Sequence, residues 1–411
     1  MTARHFRSLA LVAAVVVAGL AMRPHPVATC DPDNAGLTLP AGFCATLFAE
    51  VSGARHLAVS PDGVVFAGSR VREGGGAVAM RDADGDGHAE QVARFGRGSG
   101  TGIGATADAV WFGLDDRIIR YPRSRGELAP SGDGTVIVSG LPTGGHSATT
   151  LTLGPDGAMY VDHGSRTNSC QAEDRQDRSP GVRPCPELSE RAGIWRYDAN
   201  RAGQTPASGV HWGTGFRNAM AIAVHPTTGL LWGASHGRDQ LAANWGFSNE
   251  ASAEKPAEEF GPIAKGADFG WPYCYYDGEL KAKVQAPEYG GDGKKIGECG
   301  AKTQPAIAFP GHWAPMQVAF NPHAALGAAY QNGAFLAFHG SWNRAPLPQA
   351  GFRVVFMPFK DNKPTGVYST FAVGSTGETS LRPSGVAVGP DGALYIASDQ
   401  SGKVWRITRT N

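Results

Sequence analysis

The chain has 411 residues, of which 57 are glycine, 28 are proline and only 18% are charged. That composition favours many short strands joined by tight turns over long helices, and a single all-β domain can reach this length. Basic and acidic residues balance at 37 each, which sets aside a polyanion such as nucleic acid as the partner.

The chain opens with the features of an export signal. Arg4, His5 and Arg7 give a basic start, residues 8–22 form an apolar run, and Pro24, Pro26 and small residues break it. The run is too short for a stable membrane span. Residues 1–29 are therefore expected to be a signal peptide and residues 30–411 the mature protein, periplasmic or secreted, with no stable membrane insertion. Six cysteines follow, Cys30, Cys44, Cys170, Cys185, Cys274 and Cys299. An even count in an exported chain suits disulfides. Sequence cannot choose among the pairings, although joining neighbours would staple three loops locally.

After an early strand at 43–51, one pattern recurs: an alternating apolar strand, a turn and a second apolar strand. Clear copies with a Pro-Asp-Gly turn lie at 57–68, 151–162 and 386–397, and degenerate copies lie at 103–113, 222–233 and 318–338. Proline presets φ at the first corner and glycine accepts the positive φ that closes the hairpin. Outer strands are expected at 117–121, 193–197, 353–357 and 403–407. About four strands per repeat is the content of one propeller blade. The expected fold is all-β, a six-bladed β-propeller with long loop insertions, closed by pairing of the early strand with the last. A β-sandwich with repeated hairpins is the plainer alternative, but copies along the whole chain favour the propeller. Stretches 163–210 and 234–316 exceed plain connections and should hold any helix, together with a site or an oligomer contact.

Several polar residues sit where the repeat brings them to one mouth of the ring. His146 precedes the third hairpin on a Gly-rich loop, where a neutral imidazole can accept a proton. Arg217 and Asn218 take the matching place before the fourth, able to hold an anionic oxygen and a carbonyl. Residues 339–344 gather His339, Trp342, Asn343 and Arg344, a stacking face with donors around it, suited to a planar polyanionic cofactor. Arg70 and Arg382 flank the first and last hairpins; taken singly, each is as easily a structural ion pair. Asp82, Asp84 and Asp86 resemble the start of an EF-hand, but Ala93 stands where the bidentate glutamate belongs, so a turn between outer strands is the better reading.

Taken together, the Gly-His-Ser segment before LTLGPDGAMYVDHGS, then GTGFRNAMAIAVHPTTGLLW, ADFGWPYC, FHGSWNR and LRPSGVAVGPDGALYIASD resemble the soluble PQQ-dependent sugar dehydrogenase family, over roughly residues 40–409. That family comprises aldose and sorbosone dehydrogenases and related fungal pyranose dehydrogenase domains. The resemblance implies pyrroloquinoline quinone (PQQ) lying over the funnel with a calcium ion, His146 as catalytic base, Arg217 and Asn218 at the quinone, and carbonyls of Gly237 and Arg238 toward calcium. Arg70, His339, Trp342, Asn343, Arg344 and Arg382 would complete the cofactor site. Gly145 stands where the glucose dehydrogenases have an aspartate, and Ser165 where they have another acidic residue. Their cofactor-contacting lysine has no counterpart, and Ser384 replaces the second arginine of a pair. These departures point toward the sorbosone and pyranose branch.

The implied function is oxidation of a sugar, an aldose, a pyranose or a sorbosone-like aldehyde, by hydride transfer to the quinone. His146 would take the hydroxyl proton and Arg217 stabilise the developing oxyanion. No C-x-x-C-H haem motif occurs, so electrons would leave to an external quinone or cytochrome. A calcium-dependent lactonase and a non-catalytic carbohydrate- or protein-binding propeller are the alternatives.

Overall fold

The structure, a computed structural model, describes residues 30–71, 74–340 and 342–410. The expected signal peptide lies outside the described residues. Six sheets of four or more strands follow one another along the chain, and each begins with one of the expected hairpins. Blade 1 runs Ala54–Val59, Val65–Ser69, Ala77–Arg81 and Gln91–Phe95, from the centre outward. The innermost strands of blades 2 to 6 are Gly100–Ala105, Thr150–Leu153, Ala221–Val224, Pro315–Asn321 and Pro383–Val388. With Ala54–Val59 they contact one another in a closed ring. Strand Phe43–Glu50 pairs antiparallel with Lys403–Arg409 and completes blade 6, so the expected closure is present. Leu37–Thr38 instead pairs with Ser369–Gly374 of blade 5.

The alternation of side chains explains how the ring holds together. Successive residues of a strand point to opposite faces, so each blade fills two seams. In Val65–Ser69, Val65 and Ala67 join a cluster with Tyr395 and Val404 of blade 6, while Phe66 packs with Ile103 and Phe112 of blade 2. Six buried clusters lie one at each seam. The centre is tied by hydrogen bonds. Gln317 of blade 5 accepts from Leu57 N at 2.8 Å and Val386 N at 2.9 Å, and donates to Leu57 O at 2.8 Å. One amide thereby joins blades 5, 6 and 1.

Neighbouring cysteines do pair, as Cys30–Cys44, Cys170–Cys185 and Cys274–Cys299. Among the described residues the two short α-helices, Leu241–Trp245 and Asn249–Glu254, both lie in the 234–316 insertion, while single 3-10 turns occur elsewhere too. That insertion also sends Ala267–Asp268 across to pair, parallel, with Val210–Thr214 of blade 3. Among the described residues no helix is long and apolar enough to cross a membrane.

Candidate functional site at one mouth of the ring

In an antiparallel hairpin the start of the first strand and the end of the second share one end. Each blade therefore presents the residues before its innermost strand and after its second strand at the same mouth. His146, Arg217 and Arg382 come before innermost strands, and His236, His339 and Asp399 follow second strands. All but Asp399 line a cavity of about 370 Å³, and Asp399 lies 2.9 Å from His339 Nε2. His146, Arg217, Gly237, His339, Trp342, Asn343 and Arg382 all line it.

Backbone geometry fixes His146. Its Nδ1 lies 2.9 Å from Ser165 O and 3.0 Å from Ser165 Oγ, and its backbone N–H donates to the same carbonyl at 2.9 Å. Donation from Nδ1–H to a carbonyl sets the tautomer, so the Nε2 lone pair is the open one. Burial, with Arg217 nearby, holds the imidazole pKa down to about 3. Ser165 N donates in turn to Arg217 O at 2.7 Å. One serine backbone thus links the two residues expected to carry chemistry.

The close approach of these loops explains two glycines. Gly145 has φ of 64°, and a Cβ there would lie 2.6 Å from Arg166 Cα and overlap its carbonyl. A Cβ on Gly164 would overlap the His146 carbonyl. An aspartate at position 145 does not fit this backbone, so Gly145 and Ser165 form one coherent arrangement of the imidazole.

The electrostatic centre is Asp239, which sequence reasoning missed. Its carboxylate accepts from Arg217 at 2.6 Å, Arg175 at 2.9 Å and Asn343 at 2.6 Å. Burial alone would raise its pKa, but the charges of Arg217 and Arg175 and neighbouring His312 hold it at about 2. Glu258, also missed, accepts from Gly237 N at 2.8 Å and Ala314 N at 3.2 Å. Burial pushes it up to about 8, which makes it neutral at pH 7. His236 is held down to about 4 by burial. Arg382 lies over the Phe352 ring at 5.2 Å, and among the described residues no hydrogen bond or ion pair reaches it. The cavity thus presents Arg175, Arg217 and Arg382 against one ionised carboxylate. Arg217 Nε and Asn218 Oδ1 are buried without a partner among the described residues. The unpartnered donors, on Arg217 and Arg382, suit a flat, multiply carboxylated ligand, while Asn218 Oδ1 is left as an acceptor.

Four expected site residues do not line the cavity: Asn218, which is buried beside Gly164, and Arg344, Arg238 and Arg70. Arg344 donates to Ala253 O at 2.6 Å, Gly311 O at 3.2 Å and Glu254, behind the loop whose front carries Trp342. Trp342 and Asn343 line the cavity while the next side chain turns away, which a motif cannot reveal. The Arg238 side chain is buried against Glu288 at 2.8 Å and does not line the cavity. Arg70 forms a two-point pair with Asp115, at 2.8 and 2.9 Å, and borders a separate groove. Trp342 is 70% exposed at the rim.

Among the described residues, no tight cluster of three or more His, Cys, Asp or Glu ligand atoms lies in the cavity. Asp82, Asp84, Asp86 and Glu90 cluster in the turn between the outer strands of blade 1. The other group, Cys170, Cys185 and Glu187, contains a disulfide.

Fold and cavity together define a six-bladed propeller with a cation-rich cavity at one mouth. The chain belongs to the TrAA12-like family, whose profile matches residues 38–410. The calcium structure of a Trichoderma reesei carbohydrate-active enzyme of family AA12 is similar with TM-score 0.76 and 18% identity, covering 91% of this chain and 97% of that one. The holo PQQ domain of pyranose dehydrogenase from Coprinopsis cinerea gives 0.75 and 19%, with 91% and 97% covered. A PQQ-bound aldose sugar dehydrogenase from Streptomyces coelicolor gives 0.53 and 18%, with 90% and 99% covered. At these identities the likeness is one of fold. In sequence, the PQQ-dependent pyranose dehydrogenase of Coprinopsis cinerea is 29% identical over 171 residues, spanning 34% of this chain and only 22% of that protein.

Proposed function

We propose that this protein is a PQQ- and calcium-dependent dehydrogenase of a sugar. The observation that carries the reading is the meeting, in one cavity, of an open imidazole Nε2 on His146 with the unpaired guanidinium of Arg382 and the buried Arg217. The cationic excess supports binding of the cofactor's carboxylates by Arg217 and Arg382, with Asn218 and Asn343 as further polar contacts and Trp342 and His339 as walls. A calcium ion would rest on the carbonyls of Gly237 and Arg238 and on the cofactor, since Asp239 is already saturated by Arg175, Arg217 and Asn343. When bound, PQQ supplies a two-electron acceptor.

The chain's own residues do the rest. His146 Nε2 removes the sugar hydroxyl proton, and Ser165 keeps that nitrogen free by holding Nδ1. Arg217, its orientation fixed by Asp239, stabilises the oxygen as it becomes negative. A lactonase site would need acidic and amide groups free to hold calcium, whereas here the one ionised carboxylate is spent on arginines. The fungal relatives and the Gly145–Ser165 arrangement favour a pyranose or sorbosone-like aldehyde over glucose. The three disulfides support a periplasmic or secreted mature chain of residues 30–411 that passes electrons to an external quinone or cytochrome. The test is titration of the mature protein with PQQ and calcium, then dye reduction with aldoses, pyranoses and osones. Saturable binding with turnover is expected; folded protein that binds no PQQ overturns the reading.

A further inference from the structure

Arg191 belongs to no motif of the family resemblance, yet it reaches both loops that hold His146. It lies just before strand Gly193–Asp198 of blade 3, six residues beyond the bridge of Cys185 to Cys170. Its Nη1 donates to Gly144 O at 2.9 Å and to Gly164 O at 3.5 Å, and its Nη2 donates to Thr143 O. Thr143 and Gly144 lead into His146, and Gly164 precedes the serine that holds its ring.

Glu187 secures the other side of the same contact. It lies in the 3-10 turn Pro186–Ser189 that follows Cys185. Its carboxylate accepts from Arg166 N at 2.6 Å, Thr167 N at 3.4 Å and the Thr167 hydroxyl. Ser165 Oγ donates to Thr167 O at 2.7 Å, and Arg191 N donates to Glu187 O at 2.7 Å. The guanidinium and the carboxylate therefore grip the two loops on both sides of Ser165, at Gly164 and again at Arg166 and Thr167. They add to the contacts at Ser165 and to the pairing of Thr150 with Asp162 that adjoins the two loops.

We propose that Arg191 is a positioning residue for His146, supported by Glu187. Its guanidinium bridges carbonyls of the two loops, and so sets where the imidazole stands and which nitrogen carries its proton. The inference rests on His146 being the base of the proposed reaction. A planar fork with several N–H groups can bridge carbonyls on two loops at once, which a lysine ammonium on its flexible stem does less well.

The test uses the full mature protein. Arg191→Ala should lower kcat about 10- to 100-fold, the cost of a misplacement on the order of 1 Å, with sugar KM and PQQ affinity unchanged. Added methylguanidinium should restore part of the rate, and Arg191→Lys should fall between. In cofactor-free protein with isotope-labelled histidine, the His146 signal, assigned by its loss in His146→Gln, should shift from an Nδ1–H tautomer to an exchange average. Wild-type kcat with an unchanged His146 signal overturns the proposal. So does joint loss of kcat and PQQ affinity with no guanidinium rescue, which marks a packing role; should the alanine variant not fold, Arg191→Lys is read by the same criteria. If the wild type oxidises no sugar, the proposed reaction fails, while the tautomer in cofactor-free protein still decides the role of Arg191.

Discussion

Asp162 is the most exacting test of the energetics. It lies on the second strand of blade 3, opposite Thr150, and is 4% exposed. Neither carboxyl oxygen has a well-formed hydrogen bond among the described residues, and the Ala219 N–H is the one polar group acting on it. Burial pushes its pKa from 3.8 up to about 8. The folded protein then keeps this proton to about pH 8, while the unfolded chain releases it near pH 4. Between those limits the unfolded state binds fewer protons, so stability falls as pH rises, by at most about 1.4 kcal/mol per unit. Above the folded pKa the loss levels off. An asparagine at this position cannot ionise, so Asp162→Asn should gain stability over the wild type steadily from pH 5 to pH 8. The ceiling over that range is about 4 kcal/mol, and trapped water or local relaxation would leave about 2. Any pH-independent cost of the new amide shifts the whole curve without changing its slope. Urea unfolding with disulfides intact, run on both proteins at pH 5 and pH 8, measures the difference, and groups common to both cancel. A difference that does not change with pH would refute the reasoning.

Other consequences follow from the same contacts. Because the His146 imidazole is held down to about 3, it stays neutral through mildly acidic pH, and it loses its lone pair only as pH falls through that value. The acid limb of kcat/KM should therefore lie below pH 5; a limb centred on the ordinary histidine value of 6.5 contradicts the burial argument. Gly145→Asp should lower kcat at least about 10-fold, because its Cβ displaces the Arg166 backbone and with it His146; full activity would mean the loops yield freely. Gln317→Leu leaves Leu57 N, Leu57 O and Val386 N without their partner and should cost about 2–4 kcal/mol in urea unfolding. An unchanged midpoint would show that blades 5, 6 and 1 do not depend on that tie.

The ring was legible because its information is local. Turn chemistry such as Pro155-Asp156-Gly157 and alternation mark most hairpins within a dozen residues, and the uniform order of strands then puts residues like His146 and Arg217 at one mouth. Asp239 was not legible. It lies next to the Gly237–Arg238 pair that drew attention for its carbonyls, and its importance comes from Arg175, Arg217 and Asn343, which are distant in sequence. Glu258 and His312 lie in or beside the long insertion, where no repeat register says which way a side chain faces. Arg344 failed for the opposite reason. It stands in a motif rich in binding groups, and only the backbone path reveals that its guanidinium turns to Ala253 and Gly311.

The strand Phe43–Glu50 is made long before its partner Lys403–Arg409, yet both belong to blade 6. During synthesis blades 1 to 5 can dock in turn, each on the one before, while the first strand waits with an unsatisfied edge. Joining segments roughly 350 residues apart carries a loop-closure penalty of about 5 kcal/mol, most of it already met as the intervening blades pack. Completion of blade 6 therefore brings together, in one late event, two hydrophobic seams, the Gln317 tie and the wall bearing Arg382 and Asp399. A nascent chain stopped short of that strand would own His146 and Arg217 but no closed vessel around them.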